Sequence, residues 1–274
     1  MVETIAIHRS KPLTGSLHYV PDKNQALICA LESVYNATEV PFGNSGLGRQ
    51  RALGNIDVWD NWFYGCPQVQ GKVDDKSMFF FDDRVVDVDH LEDHPLLNPV
   101  FLRDNWSEMK NGSLPVSQEY FSALVELSRV EGSGVRALSH ADMGKINDFF
   151  GLSQAKSHAY MKAFLGLSEA ERGDYLKAHE TKHGKNIGLY CALQDAEQEK
   201  AMGRLSVFVN GYNLDGSSIL GSNYARLLGV RRRVASAASS SAKGAPHKTL
   251  EDELVGAFPE IDSERLKGIL SRYQ

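Results

Sequence analysis

Two connectors of identical sequence, Gly-Leu-Ser, occupy residues 151–153 and 166–168 and strongly constrain how the surrounding chain can fold. In such a connector the glycine adopts the left-handed conformation that ends a helix, and the serine caps the next helix. Ser168 is followed by Glu171 in the spacing of a capping box. The connectors therefore predict helices over 140–150, 153–165 and 168–182, joined by very short turns.

Helical patterning extends on both sides of these connectors. Ser117 follows Pro115 and begins a stripe of apolar residues with helical spacing. The stripe consists of Tyr120, Phe121, Leu124 and Leu127. Similar spacing continues over 186–202 and 217–228. The sequence thus predicts a mainly helical domain over residues 113–233.

Residues 1–112 have a different, mixed α/β character. Apolar and polar residues alternate over 3–8 and 16–20, as they do in half-buried strands, and 22–36 carries a helical stripe. The glycine-rich segment 43–48 lacks the Gly-Lys-Ser/Thr ending of a phosphate-binding loop, so we interpret it as a mobile loop. An aromatic cluster follows at 59–64. We predict an α+β fold in which this irregular, partly β part packs on the helical domain.

The C-terminal residues are predicted to form a flexible linker over 234–248 and a short helical tail over 249–274. Serine, alanine and glycine dominate the linker, which therefore cannot build a core. The tail has two amphipathic stretches interrupted at Pro259, and its Phe258-Pro259 pair resembles the start of a ubiquitin-binding CUE domain. The chain ends before the third helix of that family, so we expect the tail to dock on its own body or on a neighbouring subunit.

Composition is that of a globular protein, with 42% hydrophobic and 24% charged residues. No apolar run is long enough to span a membrane, and the N-terminus lacks a basic region followed by an apolar one, so we expect a cytoplasmic protein. The three cysteines, Cys29, Cys66 and Cys191, are too widely separated for a disulfide framework or a structural zinc site. We expect no cofactor.

Charge is distributed unevenly along the chain. Residues 1–131 hold 11 basic against 19 acidic side chains, whereas residues 132–235 hold 14 against 10. Such asymmetry indicates a polyanionic partner, although a solvated surface also varies in this way. Arg231, Arg232 and Arg233 form a basic arm that suits phosphates, or that favours the C-terminus of a helix through its dipole.

Residues 143–162 have the pattern of a helix-turn-helix, with Gly151 as the turn glycine. Together with the following Leu167-Ser168-Glu169, this run resembles the central DNA-binding part of bacterial partition proteins of the ParB family. The resemblance implies a recognition helix whose polar residues face a nucleic acid. These residues are Gln154, Lys156, Ser157, His158 and Lys162. Two core helices that meet at a Gly-Leu-Ser turn are the alternative.

The leading hypothesis is therefore a nucleic-acid-binding protein without a catalytic role, and two alternatives stay open. A self-assembling coat or nucleocapsid-type protein shares the phosphate contacts and the docking tail. A zinc-dependent hydrolase is suggested by His179-Glu180-x-x-His183, in which the histidines would be ligands and Glu180 the base. The acidic stretch 74–94 is a further candidate for a divalent metal.

Overall fold

Strands and helices alternate in the first part of the chain. The structure, a computed structural model, describes residues 3–6, 15–21, 23–54, 59–191, 200–209, 213–216 and 220–231. Its first elements are β1 (Glu3–Ala6), β2 (Gly15–Val20), α1 (Ala26–Asn36), β3 (Glu39–Pro41) and α2 (Asn44–Ala52). The two strands and the helix predicted in this part are confirmed. The mobile loop predicted over 43–48 is wrong, because these residues begin α2.

A long hairpin occupies the middle of the chain. Its strands, β4 (Phe63–Val73) and β5 (Lys76–Asp82), are joined at Asp74 and Asp75, which both adopt positive φ angles. After two short 3-10 turns come α3 (Pro99–Asn105), β6 (Leu114–Pro115), α4 (Gln118–Leu127), β7 (Val135–Ser139) and α5 (His140–Met143). Ser117 caps α4 by accepting the Tyr120 N–H, which confirms the predicted start of that helix.

The last described part begins with strand β8, continues with three helices and ends with four further strands. Its elements are β8 (Asp148–Gly151), α6 (Leu152–Ser157), α7 (Ala159–Leu165), α8 (Glu169–His183), β9 (Asn186–Tyr190), β10 (Met202–Phe208), β11 (Asn213–Asp215) and β12 (Ala225–Arg231). None of the helices that the structure describes is long and apolar enough to cross a membrane.

Two sheets combine strands from distant parts of the sequence. The smaller has the order β1-β2-β12-β3, and all of its pairs are antiparallel. The larger has the order β7-β5-β4-β10-β11-β9-β8, with β6 pairing with β10. Within the described strands of this sheet, β9 and β11 pair in parallel and the others antiparallel. The sheets meet where β12 packs against β4.

The predicted α+β fold with a mainly helical C-terminal domain is wrong, because strands β6 to β12 all lie within residues 113–233. The predicted helix over 140–150 is broken at Asn147, whose φ of 60° is left-handed and cannot continue a right-handed helix. The Asn147 N–H instead donates to the Leu189 carbonyl (2.7 Å), and the next residues pair with β9. The result is a mixed, sheet-rich fold.

Buried aromatic side chains fill the space between the larger sheet and the helices over it. Phe164 on α7 is fully buried and packs against Phe81, Tyr160 and Phe208, with ring centroids 5.3 to 5.9 Å apart. A second buried cluster lies under α1 and includes the edge-to-face pair of Phe80 and Phe121. Because each aromatic ring removes a large apolar area from water, these clusters stabilise the fold.

A buried asparagine joins helix α2 to the sheet beneath it. The Asn44 Nδ2 donates to the Phe164 carbonyl (2.9 Å), and its Oδ1 accepts from the Cys66 N–H (2.9 Å) and the Ser206 hydroxyl (2.6 Å). All of these groups are buried, so each bond also avoids the cost of an unsatisfied polar atom. The network fixes α2 relative to α7, β4 and β10.

Contacts between residues divide the chain into one unit over 1–232 and a second over 233–274. The second unit lies outside the described residues. The linker over 234–248 and the docking tail with its self-association therefore stay predictions.

Candidate functional site

The residues predicted to contact nucleic acid lie on short helices. Gln154, Lys156 and Ser157 belong to the six-residue α6, and Lys162 is exposed on α7. Gln154 and Ser157 are exposed, whereas the Lys156 Nζ lies 3.4 Å from the Glu169 carboxylate. Residues 148–151, expected to end the first helix of the pair, form strand β8 instead. The structure therefore has no helix-turn-helix at this position.

His158 serves the helices on either side of it. Its Nδ1 accepts the Tyr160 N–H (3.2 Å) and caps α7, while its Nε2 lies 2.8 Å from the Lys145 carbonyl. The ring also packs edge-on against Phe150, with centroids 4.9 Å apart. Both ring nitrogens are thus engaged within the protein, as expected for a structural histidine.

The basic arm is described only at its first residue. Arg231 is exposed at the end of β12, where its backbone is opposite Glu39 in β3. It therefore ends a strand and not a helix, so the helix-dipole interpretation does not apply. Arg232 and Arg233 lie outside the described residues.

The two histidines of the zinc hypothesis pack around an aromatic ring. His179 is buried and His183 half-buried, and their ring centroids lie 5.7 and 5.2 Å from that of Trp59. Burial lowers the pKa of His183. Glu180 is exposed, since consecutive helical residues are turned by about 100° from one another. Among the described residues, no group of three or more His, Cys, Asp or Glu side chains is placed to hold a metal ion.

The acidic residues of 74–94 are dispersed, and the buried ones among them are paired. Asp82 accepts two hydrogen bonds from the Arg84 guanidinium (both 2.7 Å) and one from the Tyr120 hydroxyl (2.8 Å). Asp83 accepts from the Ser45 N–H and from Arg136. These carboxylates pair with the partly buried arginines Arg84 and Arg136 at the junction of β5 with its neighbouring helices, so they do not form a shared metal site.

A surface patch of aromatic rings and one arginine forms where the two sheets meet. We call it the aromatic–arginine patch, and it consists of Tyr19, Trp62, Tyr64, Tyr224 and Arg226. Tyr19 and Arg226 occupy directly opposite positions on β2 and β12 of the smaller sheet. Trp62 immediately precedes β4 of the larger sheet, which contains Tyr64. The patch therefore exists only in the folded chain.

The rings of the patch are arranged edge-on. Trp62 is T-shaped against both Tyr64 and Tyr224, with centroids 5.4 and 5.2 Å away. Tyr64 is buried and supports Trp62 from below, whereas 47% of Tyr224 is exposed. Edge-to-face pairs place the positive edge of one ring against the negative face of the other, which fixes the orientation of Trp62.

The guanidinium of Arg226 completes the patch. Its Cζ lies 4.7 Å from the centroid of Tyr19 and 5.5 Å from that of Trp62. Such cation–π contacts each contribute about 0.5–2 kcal/mol, depending on how far water is excluded. Arg226 is only partly buried, so part of the residue contacts solvent.

Hydrogen bonds hold the segments that carry the patch. Arg51 lies fully buried with its Nη2 donating to the Val209 carbonyl (2.8 Å) and lying 3.5 Å from the Asn61 carbonyl, next to Trp62. Near the other end, the Lys23 N–H donates to the Asn223 carbonyl (2.8 Å), just before Tyr224. These bonds preorganise the patch before any ligand arrives.

Comparison with known proteins identifies the fold of this chain. No family model matches the chain, and no curated protein matches it. A solved structure described as "Accommodation of massive sequence variation in Nanoarchaeota by the C-type lectin fold" is similar to it, with a TM-score of 0.64. The match is 22% identical and covers 79% of this chain and 97% of the other. The chain has a C-type-lectin-like fold.

This fold overturns the hypothesis of a nucleic-acid-binding protein with a helix-turn-helix. The predicted pair of helices is replaced by β8 and two short helices, and the C-type-lectin-like sheets extend through the part expected to be a helical, basic domain. The alternatives of a coat-type protein and of a zinc hydrolase gain no support either. Tyr19, Tyr224 and Arg226 were not among the site residues predicted from the sequence, although the aromatic cluster at 59–64 is visible there.

Proposed function

We propose that this chain is a recognition protein that binds a partner protein through the aromatic–arginine patch. The observation that carries the proposal is the exposure of Tyr224 on a preorganised support, with 47% of the residue open to solvent beside Trp62 and Arg226. Tyrosine, tryptophan and arginine dominate the residues whose truncation weakens protein–protein complexes most. An open, rigid patch of these three residue types suits a protein surface better than a small molecule, which usually occupies an enclosed pocket.

The similar fold adds a second argument. The solved structure is described as accommodating massive sequence variation, and this chain shares its fold at 22% identity. A scaffold that tolerates such variation can keep its buried core while its surface residues differ from one protein to another. The patch of this chain would then determine its own partner, and the sheets would supply the rigidity.

Affinity capture followed by direct binding tests the proposal. The full chain and a Trp62→Ala/Tyr224→Ala variant would be immobilised, and proteins from the source cells retained only by the unmodified chain would be identified and purified. We expect Tyr224→Ala to raise the Kd for such a protein by about 30-fold, as for a central interface residue. Phe149→Ala is the matched control, because Phe149 is an exposed aromatic (52%) on β8, away from the patch.

Two results would contradict the proposal. One is that no protein is retained by the unmodified chain in preference to the double variant. The other is that a retained protein binds Tyr224→Ala and Phe149→Ala with the same Kd in solution.

A further inference from the structure

We infer that the aromatic–arginine patch recognises a carboxylate of its partner protein, through Arg226, next to an apolar side chain that packs on Tyr224. This inference rests on the proposed function and specifies the chemistry of the partner. It follows from what Arg226 contacts and from what it does not contact.

Most other arginines of the described chain form ion pairs with carboxylates, whereas Arg226 does not. Five of those pair with carboxylates within the protein. They are Arg49, Arg84, Arg103, Arg129 and Arg136. Among the described residues, by contrast, the guanidinium of Arg226 contacts rings and pairs with no carboxylate. Its charge is therefore not neutralised by the part of the chain that the structure describes.

The contacts with the two rings leave the hydrogen-bonding capacity of this guanidinium unused. The Arg226 Cζ lies over the rings of Tyr19 and Trp62, and its five N–H donors make no hydrogen bond to a residue that the structure describes. A carboxylate matches two of these donors with two parallel hydrogen bonds. Because the rings already restrict the side chain, little rotamer freedom remains to be lost on binding.

The neighbouring rings determine what should accompany the carboxylate. Tyr224 packs edge-on against Trp62, and it is the most exposed member of the patch. An apolar or aromatic side chain on Tyr224 would exclude water from the adjacent Arg226, which strengthens the ion pair. The structure thus favours an acidic residue beside an aromatic or aliphatic one in the partner.

A matched pair of peptides tests this inference on the full, isotope-labelled chain. N-acetyl-Phe-Asp-amide and N-acetyl-Phe-Asn-amide differ by one charge, and NMR would follow the Trp62 indole N–H and the Arg226 Nε–H during titration. We expect saturable shifts at both groups and a Kd about ten-fold lower for the aspartate peptide. The difference should shrink as sodium chloride is added, because the site is open to screening ions.

Variants of Arg226 test whether this residue causes the preference for the aspartate peptide. Arg226→Gln should abolish the difference between the two peptides, and Arg226→Lys should keep part of it, since lysine retains the charge but not the planar fork. Arg129→Gln is the control, because Arg129 is an exposed arginine outside the patch. Thermal unfolding of each variant checks that the fold is kept.

The inference is overturned if neither peptide shifts these groups, or if Arg226→Gln still prefers the aspartate peptide. Equal binding of both peptides that is lost in Tyr224→Ala overturns the carboxylate preference and leaves the proposed function standing. A phosphoserine peptide that binds more tightly than the aspartate peptide would also contradict a carboxylate as the preferred group. The capture experiment uses no peptide and therefore tests the proposed function separately from this inference.

Discussion

Two arginines of helix α2 show how strongly the surroundings of a residue determine its role. Arg49 is half-exposed and its Nε lies 2.8 Å from the Glu171 carboxylate. Arg51 is buried, with its Cζ 4.8 Å from the centroid of Trp59 and 5.1 Å from that of Phe208. Positions two apart on a helix face nearly opposite directions, so one arginine meets solvent and the other meets the core.

Replacement of these arginines is expected to give very different results. Arg51→Ala should lower the free energy of unfolding by about 3 kcal/mol, because it leaves a cavity and unpaired buried carbonyls. Arg49→Ala should lower it by no more than about 0.5 kcal/mol, since exposed ion pairs contribute little. Urea denaturation of both variants measures the difference. Equal losses would show that burial of Arg51 contributes no more than a surface contact does.

The candidate site could be predicted from the sequence only in part. Trp62 and Tyr64 stand in an aromatic cluster that is visible without a structure. Tyr19 and Arg226 meet because β2 and β12 pair in one particular register, although most of the chain separates them. No local pattern around either residue encodes that register, which depends on how complete strands pair.

A glycine explains why a helix was mistaken for a loop. Gly46 lies within α2 against the ring of Phe42, and a Cβ at this position would collide with that ring. Glycine normally disfavours a helix by about 1 kcal/mol relative to alanine, which is why the segment 43–48 does not look helical. Close packing against Phe42 compensates for the poor intrinsic propensity.

At the level of elements, the two Gly-Leu-Ser connectors differ even though their sequences are identical. Gly166 adopts a left-handed φ of 61° and ends α7, and Ser168 forms the predicted capping box with Glu171. Gly151 has an extended backbone because it is the last residue of β8, opposite Asn186 in β9. The second connector is thus predictable from local chemistry alone. At the first connector, the pairing of β8 with β9 determines the backbone conformation instead, and no local sequence pattern reveals that pairing.

The serines of the two connectors therefore provide an internal comparison. Ser168→Ala should lower the free energy of unfolding by about 1 kcal/mol, because the Glu171 N–H loses its side-chain partner. Ser153→Ala should leave stability within about 0.3 kcal/mol of the unmodified chain, because Ser153 is exposed inside α6 and alanine favours a helix. Chemical denaturation of both variants measures this. Similar losses at the two positions would contradict the assignment of the cap.

At the level of the whole molecule, the fold class was missed because its strands pair over long distances. All seven residues of β10 are buried, so this strand lacks the alternation of a half-exposed one. An apolar run of this length cannot be distinguished from a buried helical segment by periodicity. The pairing of β10 with β4, and of β12 with β2 and β3, joins parts of the chain that the sequence-based argument assigned to different domains.

If the exposed aromatic–arginine patch is the binding surface, as we propose, stability and binding should respond to different residues. Tyr224→Ala should change the melting temperature by no more than about 2 °C, because Tyr224 is half-exposed and its backbone is held independently. Phe164→Ala should lower the free energy of unfolding by about 4 kcal/mol, since it empties a fully buried site. Differential scanning calorimetry compares the two. A large loss of stability in Tyr224→Ala would place the patch within the core and not on its surface.

Near neutral pH, three histidines with shifted pKa values contribute to the pH dependence of stability. Burial lowers the pKa of His94, beside Asp82, and of His183, beside Trp59. Such a histidine takes up its proton at a higher pH in the unfolded chain than in the folded one, so stability is lost as the pH falls below about 6.5. His90 acts in the opposite direction, because its hydrogen bond with Asp87 raises its pKa, but that pair is exposed and screened.

We therefore expect the free energy of unfolding to fall between pH 7.5 and pH 5.5, with His94 and His183 responsible for the slope. Urea denaturation at several pH values would measure it for the unmodified chain and for a His94→Gln/His183→Gln variant. The variant should be less stable at pH 7.5 because packing is disturbed, yet its stability should change less with pH, since glutamine does not titrate. His90→Gln is the control and should steepen the slope slightly, because it removes a group that binds its proton more tightly in the folded state. Parallel slopes in the unmodified chain and the double variant would show that other groups govern the response to acid.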